Sequence, residues 1–246
     1  MAYVTGVDGC KAGWFVAKMN VTSREIHCIV CETFPDIVAF AGDSEIIAVD
    51  IPIGLLSVAQ HGGRECDTIA RKYLGGLRGT SVFSAPVRAS LECVNYTAAS
   101  RANSASASNG NGPRLSKQAY MIMPKICEVD SCLRRDSTVR DKVREIHPEL
   151  SFYEMNGASP VLEPKRTPEG FAVRSELLRR NGLAALVLRA GSQSRGRDFS
   201  RDDVLDSGAA LWTAERIHQC TARRIPTSER QSNQCDSEGL YMEMWL

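Results

Sequence analysis

The hydrophobic positions of the first 53 residues fall into four short runs that are separated by turns. The runs cover Tyr3–Val7, Trp14–Val21, Glu25–Thr33 and Glu45–Ile53. Each has the length of a strand, and the first, second and fourth are mainly apolar, as in buried strands. A glycine-rich turn joins the first two into a predicted hairpin. Between the last two, Phe34–Ala41 has helical spacing and an early proline, so the pattern indicates an α/β fold with a mixed sheet.

The rest of the chain favours helices. We expect helices near residues 67–73, 117–135, 168–180 and 200–220, a short strand at 143–146 and a final strand at 239–246. Residues 96–116 are small and polar, which predicts a mobile surface excursion with at most a short alanine-serine helix. Residues 191–197 are basic and rich in glycine and serine, which predicts a loop. The chain is interpreted as one domain over residues 1–246, with residues 57–142 as an insertion or cap between the fourth and fifth strands.

Composition and charge exclude some classes of function. The formal net charge is +1, so no global basic field indicates a nucleic-acid partner, and any such partner needs a local basic patch. No apolar run approaches the length of a membrane span, and no secretory signal is visible. The nine cysteines are irregularly spaced, and Cys28 and Cys31 face opposite ways in a strand. We therefore expect reduced thiols in a cytoplasmic protein without membrane contact.

Two aspartates interrupt buried strands. Asp8 interrupts the first apolar run, and Asp50 stands where the fourth run continues into Pro52 and Gly54. A carboxylate in a buried strand is costly unless it is paired or binds a cation. The alternative for Asp8 is a structural one, in which it only caps the glycine-rich turn.

The last long helix carries further acids. Ser200 suits the N-cap, and Asp202 and Asp203 in the first turn suit the helix dipole without any function. Asp206 is different, since it lies one turn further on the same face as Asp203. The small residues 207–210 let this face pack closely on a sheet. A helix packed on the strands of Asp8 and Asp50 would complete a cluster of four carboxylates.

Basic residues supply candidates for phosphate binding, because guanidinium and ammonium groups donate hydrogen bonds to phosphate oxygens. The candidates are Arg64, Arg71, Arg88, Lys125 and Lys165. The alternative is a solvated basic loop with internal ion pairs to neighbouring acids. Glu145, His147 and Glu149 form a polar cluster at a strand end, and Glu145 and His147 are additional candidates for metal binding or proton transfer. They fit equally well in a turn whose histidine is satisfied structurally.

Several motifs together carry a resemblance that covers nearly the whole chain. They are GVDGCKAGW, VDIPIGL, RECDTIARKYLG with SVFSAPVR, PKICEVD, EIHPELSF and DDVLDSGAALWTA. In this order they resemble domain of unknown function family 429, whose members are predicted to be ribonuclease-H-like nucleases. The resemblance implies a ribonuclease-H-like fold, with a mixed sheet, an antiparallel first hairpin and helices on both faces.

The carboxylate pattern is also similar to that of Holliday-junction resolvases, which share this fold. Those enzymes have acids on the first strand, at the end of the fourth strand and as a D-x-x-D pair on the last helix. The matching positions are Asp8, Asp50, Asp203 and Asp206, of which Asp8, Asp50 and Asp206 are the expected ligands of Mg²⁺ or Mn²⁺. Ribonucleases H proper have a glutamate on the first helix, where this chain offers only Asp36. The arginine-rich insertion is also foreign to them, so the substrate does not carry over.

The resemblance therefore implies a metal-dependent nuclease, with nucleic acid or another phosphate ester as substrate. Two alternatives remain open. One is a non-catalytic nucleic-acid or nucleotide-binding protein on the same fold. The other is an ATP-dependent phosphotransferase of the actin and sugar-kinase superfamily, which usually duplicates the fold. A second Asp-Gly hairpin and a glycine-rich adenosine loop would indicate that superfamily, and the sequence has neither.

Overall fold

A five-stranded mixed sheet forms the centre of the computed structural model, which describes residues 1–192, 198–227 and 234–246. Its strands are β1 (Tyr3–Cys10), β2 (Gly13–Asn20), β3 (Ile26–Cys31), β4 (Ser44–Val49) and β5 (Val143–Glu145). Their order across the sheet is β3-β2-β1-β4-β5. The first three pair antiparallel, whereas β4 and β5 run parallel to β1. This confirms the predicted mixed sheet and its antiparallel first hairpin.

Helices flank the sheet, as the hydrophobic pattern predicts. They are α1 (Phe34–Phe40), α2 (Glu65–Gly79), α3 (Tyr96–Ala105), α4 (Lys117–Met121), α5 (Met123–Arg135), α6 (Ser137–Arg140), α7 (Pro148–Met155), α8 (Pro168–Arg180), α9 (Ala184–Ser192) and α10 (Arg201–His218), with a 3-10 helix at Arg88–Glu92. On one face of the sheet, α8, α9 and α10 pack against residues such as Phe15 and Ala48. On the other face, α1 and α5 pack against Val7 and Val49.

Helix α10 lies directly on β1 because Gly6 has no side chain. A Cβ on Gly6 would lie only 2.2 Å from the backbone nitrogen of Leu211 and 2.3 Å from the carbonyl oxygen of Ser207. On the helix side, Ser207, Ala209 and Ala210 are fully buried. The small residues on both elements therefore bring the helix backbone close to the sheet, as their sequence predicts.

The region between β4 and β5 is more ordered than its composition indicates. Residues 96–105 form α3, whose Ala99 packs in a small core with Leu115, Ala119 and Met123. Buried Asn103 accepts a hydrogen bond from the Val87 backbone N–H (2.9 Å) and donates one to the Pro113 carbonyl (2.9 Å). The predicted surface excursion is therefore wrong for this segment. A few alanines and one hydrogen-bonded asparagine suffice to bury one helix face.

The end of the chain contains less strand than its pattern predicts. Only Met244–Trp245 form a strand (β7), which pairs antiparallel with Arg224–Ile225 (β6). The predicted strand at 239–246 is thus too long. A bridge between Ile146 and Trp245 attaches this small sheet beside β5. The expected basic loop at 191–197 lies outside the described residues from position 193 onward.

The cysteines and the helices bear on the expectations of reduced thiols and no membrane span. All nine cysteines are free thiols, and Cys28 and Cys31 pack on opposite faces of the sheet, as expected. Across the described ranges, no helix has the length and apolar character needed to cross a membrane.

Candidate functional site

Asp8 and Asp50 are neighbours at the ends of two parallel strands. The last register pair of β1 and β4 joins Val7 to Val49, and the Asp50 backbone N–H donates to the Val7 carbonyl over 3.1 Å. Both valines belong to the core on the α1 and α5 face. Because side chains alternate along a strand, the following position of each strand faces α10. The register therefore directs both carboxylates towards this helix.

Helix α10 contributes Asp206 to the same place. The contact between Gly6 and residues 207–211 fixes the helix over β1, and Asp206 lies at the start of this contact with 4% of its surface exposed. Asp8, which is 7% exposed, lies two residues beyond Gly6 on the same face of β1. Asp8, Asp50 and Asp206 line one cleft of about 330 Å³.

The electrostatics show how closely these three carboxylates interact. Burial, followed by the charges of Asp206 and Asp50, raises the pKa of Asp8 well above its ordinary value. Burial raises the pKa of Asp50 to about 7 and that of Asp206 to about 6. Each group thus holds a proton more readily than a free aspartate, because three negative charges share a poorly solvated space.

Asp203 has a separate structural task. Its carboxylate accepts a hydrogen bond from the Ser200 backbone N–H (2.8 Å), and the Ser200 hydroxyl accepts one from the Asp203 N–H (3.3 Å). This capping box closes the N-terminus of α10. The charge of Asp203 still raises the pKa of Asp8. Asp203 does not line the cleft itself, and its assignment as a fourth site carboxylate stays a prediction.

Lys165 provides a positive charge among these acids. Its Nζ donates a hydrogen bond to Asp206 Oδ2 over 2.7 Å. The charge of Asp206, together with this hydrogen bond, raises the pKa of Lys165 above that of an ordinary lysine although burial opposes the shift. The ammonium group is therefore fully charged at neutral pH.

The donor atoms suit Mg²⁺ or Mn²⁺, since both prefer carboxylate oxygens and the three acids carry more negative charge than Lys165 balances. Their arrangement is not that of a complete metal site. Within residues 1–192, 198–227 and 234–246, no three His, Cys, Asp or Glu side chains form a group that could hold a metal ion. One carboxylate oxygen of Asp206 is instead engaged by the Lys165 ammonium.

Cationic and polar side chains form other parts of the cleft wall. They include Arg78, Ser81, Gln118 and Lys125 from the region between β4 and β5. Lys125 donates to the Gly13 carbonyl and lies 4.3 Å from the ring centroid of Trp14, packed over Gly9. Of the five predicted phosphate ligands, Lys125 and Lys165 thus reach the cleft that Asp8 lines.

The three other predicted phosphate ligands do not line this cleft, and each of them is engaged by groups of the chain. Arg64 is 1% exposed and donates to both Glu145 (2.6 and 2.7 Å) and Asp67 (2.8 Å). Arg71 donates to the carbonyls of Gly62 and Val82 and to Ser84 Oγ. Arg88 pairs with Asp130 and Asp236. All three guanidinium groups contact groups of this chain, and these long-range partners are not visible in the sequence pattern.

Glu145 has a structural role as well. Besides Arg64, it accepts a hydrogen bond from the Ile53 backbone N–H (2.6 Å). Arg64 in turn donates to the Ile53 carbonyl (2.7 Å). The charges of Asp67 and Glu145 raise the pKa of Arg64 despite its burial, and the contacts with Ile53 attach the segment that follows Asp50 to this ion pair. Glu145 thus lines the cleft as one end of a buried salt bridge, and its role as a metal ligand stays a prediction.

His147 begins α7 as its N-cap and also lines the cleft. Its Nδ1 accepts the Glu149 backbone N–H (3.2 Å), and its Nε2 lies 3.4 Å from the Ser81 carbonyl. Burial lowers the pKa of His147, and a neutral ring with its proton on Nε2 satisfies both contacts. These contacts match the interpretation of a histidine satisfied in a turn.

Glu149, the third member of the predicted polar cluster at the strand end, and Arg78 also line the cleft. Arg174 donates to both carboxylate oxygens of Glu149 (2.8 Å each), and Arg78 contacts one of them at 3.0 Å. Burial opposes ionisation of Glu149, yet Arg174 lowers its pKa overall. Pro148 begins α7, so Glu149 lies in the first turn of this helix.

Comparison with known protein families assigns the chain to one family. A family model described as "Protein of unknown function (DUF429)" matches residues 6–231. No curated protein and no solved structure matches the chain to a significant degree. The matched range includes Asp8, Asp50, Lys165 and Asp206. Because the match spans most of the chain, the protein belongs to the DUF429 family of proteins of unknown function.

Proposed function

We propose that the protein is a metal-dependent nuclease of ribonuclease-H-like architecture, which hydrolyses phosphodiester bonds. The observation that carries the proposal is the placement of Asp8, Asp50 and Asp206 around one cleft. They come from the first strand, the end of the fourth strand and the last long helix of the chain. The resemblance to ribonuclease-H-like nucleases and resolvases implies acids at these three places.

The charge of the cleft supports a cationic cofactor. Asp8, Asp50 and Asp206 would hold Mg²⁺ or Mn²⁺, whose positive charge would stabilise the ionised carboxylates against the burial and the neighbouring negative charges that raise their pKa values. When bound, such ions supply activation of the attacking water and stabilisation of the leaving oxygen.

The side chains of the cleft wall would bind the substrate. Lys125 and Arg78 carry positive charge at the cleft and would position a phosphate group near the carboxylates. Each side chain is held in place by a neighbour in the protein: the Trp14 ring contacts Lys125, and Glu149 contacts Arg78. A side chain that is already held in place loses less entropy when it binds a ligand. The neutral ring of His147 lies in the same wall and adds no charge there.

A phosphate-binding protein without catalytic activity is the second candidate. The observation in its favour is that Lys165 already engages Asp206, while the described side chains include no complete ligand group for a metal. Such a protein would bind nucleic acid or a nucleotide through the cationic wall and would leave the phosphodiester bond intact.

The two candidates separate in a cleavage assay. Purified protein is incubated with single-stranded, duplex and branched DNA and with RNA, in Mn²⁺ or in EDTA. The nuclease proposal predicts cleavage of at least one substrate in Mn²⁺ alone and its loss in Asp8→Asn, which keeps the side-chain shape but removes the anionic ligand. Asp202→Asn is the matched control, since Asp202 lies in the first turn of α10 and does not line the cleft. Binding without cleavage in any condition would favour the second candidate.

A further inference from the structure

Lys165 differs from Lys125 and Arg78, the other cations named in the cleft wall, in the group that it contacts. Its Nζ lies 2.7 Å from Asp206 Oδ2, whereas Lys125 contacts the Gly13 carbonyl and the Trp14 ring and Arg78 contacts Glu149. Of these three cations, Lys165 forms its ion pair with a carboxylate of the proposed metal site. Its position also links it to Asp8 and Asp50, both of which raise its pKa.

The ion pair joins a mobile type of side chain to a fixed one. The side chain of Asp206 is 5% exposed and extends from the long helix α10. That of Lys165 is 42% exposed and belongs to the connection between α7 and α8, three residues before Pro168 begins α8. A lysine with a long flexible stem and partial solvent access can leave its partner without moving the backbone.

We propose that Lys165 is a displaceable internal cation, which neutralises Asp206 in the metal-free protein and moves away when a divalent cation binds the carboxylates. This inference rests on the proposed metal site and adds to it a competition built into the chain. The ammonium group and a metal ion compete for the same carboxylate, and their positive charges repel each other when both are close to it. In the metal-free protein the Lys165 ammonium occupies one carboxylate oxygen of Asp206.

The ion pair should lower the apparent affinity for the metal and stabilise the metal-free protein, relative to a protein without Lys165. Without Lys165, three carboxylates would face each other without a counter-charge from this side chain. With it, a metal ion must first break an ion pair. After displacement the ammonium stays attached to the cleft wall, where it would contact a substrate phosphate.

The test is equilibrium binding of Mn²⁺ to the metal-free full chain, measured by calorimetry at pH 8.0. Lys165→Met is expected to bind Mn²⁺ roughly fivefold more tightly than the wild type, because a partly exposed ion pair no longer competes. Its melting temperature without metal is expected to fall. Lys165→Arg keeps the charge and is expected to stay within about twofold of the wild type. Lys117→Met is the control for the loss of a lysine outside the cleft.

The outcomes separate this inference from the proposed function. Tighter binding by Lys165→Met, or binding by Lys165→Met alone, supports the displaced cation. Wild-type binding with equal or weaker binding by Lys165→Met overturns it and leaves the metal site intact. No binding by any variant at millimolar Mn²⁺ overturns both. If Lys165→Met does not fold, Lys165→Gln replaces it, with the same expected direction.

Discussion

Asp8 and Asp50 lie side by side at the ends of β1 and β4, because the Asp50 backbone N–H donates to the carbonyl oxygen of Val7, the residue before Asp8 (3.1 Å). Two adjacent carboxylates in a poorly solvated place repel each other unless protons or cations neutralise them. This pair is therefore the feature that makes the cleft a candidate site, and it determines how the protein should respond to pH, metal and mutation.

The pH dependence of stability tests the raised pKa values of the cleft carboxylates. Burial raises the pKa of Asp50 to about 7 and that of Asp206 to about 6, so the folded protein binds more protons than the unfolded chain above about pH 4. Their effect is a loss of stability as the pH rises through 6 and 7, in the absence of metal. Asp50→Asn removes one titrating group. We expect the free energy of unfolding of this variant, relative to that of the wild type, to increase by on the order of 2 kcal/mol between pH 5 and pH 8. Urea unfolding in EDTA measures this difference.

His147 acts in the opposite direction, because its lowered pKa makes stability rise with pH near 6. Its contribution is present in the wild type and in Asp50→Asn alike, so it cancels in the difference between them. Parallel stability curves for the two proteins would show that Asp50 titrates as an ordinary aspartate.

Gly6→Ala tests the close approach of α10 to the sheet. The added Cβ would meet the Leu211 nitrogen at 2.2 Å and the Ser207 carbonyl oxygen at 2.3 Å, both of them backbone atoms that only a shift of the helix can move. We expect a loss of about 3 kcal/mol in the free energy of unfolding, at the upper end of the usual cost of overpacking. Gly76→Ala is the control, since nothing lies within 4 Å of its Cβ position and the helix propensity of alanine favours it. Equal stabilities would mean that the helix lies further from β1.

Arg64→Met tests the reassignment of Arg64 from phosphate ligand to buried salt bridge. Removal of the guanidinium leaves Glu145 and Asp67 buried without their partner, which should cost about 3–5 kcal/mol. Arg180→Ala removes an exposed ion pair with Glu176 and should cost less than about 1 kcal/mol. Thermal or urea unfolding measures both. An unfolding free energy of Arg64→Met close to that of the wild type would restore Arg64 as a free cation.

Lys125→Met tests the cationic wall of the cleft. In an Asp8→Asn background, which is expected to prevent cleavage, the variant should bind a single-stranded oligonucleotide more weakly. The slope of the logarithm of affinity against that of salt concentration should fall by about 1, the loss of one phosphate contact. Fluorescence anisotropy gives both quantities. Lys117→Met serves as the control, and an equal effect in both variants would indicate non-specific attraction rather than a contact in the cleft.

The elements that position the carboxylates could be predicted from the sequence. Continuous apolar runs around Asp8 and Asp50 predict buried neighbouring strands, and small residues after Asp206 predict a helix close to the sheet. The structure confirms these elements, and it shows the three aspartates lining one cleft. Local patterns succeed here because each strand or helix is determined by nearby residues.

The pairing of charges could not be predicted in this way. Arg64 and its partner Glu145 are 81 residues apart in sequence, so no local pattern reveals that Arg64 is saturated. The same holds for Arg88 and Asp236, which are 148 residues apart. Lys165 and Asp206 are separated by 41 residues, and their ion pair likewise depends on the tertiary fold. The burial of α3 also escaped prediction, because its alanine face becomes a core only against residues 115–123.

The most direct test of a shared metal site is the shift in melting temperature that Mn²⁺ produces in the wild type, Asp206→Asn and Asp202→Asn. A metal at one hundred times its dissociation constant stabilises a folded protein by about 2.7 kcal/mol, which for a chain of this size raises the melting temperature by roughly 5–10 °C. We expect this shift in the wild type and in Asp202→Asn, and its loss in Asp206→Asn. An unchanged shift in Asp206→Asn, or no shift in the wild type, would contradict a metal site built from Asp8, Asp50 and Asp206.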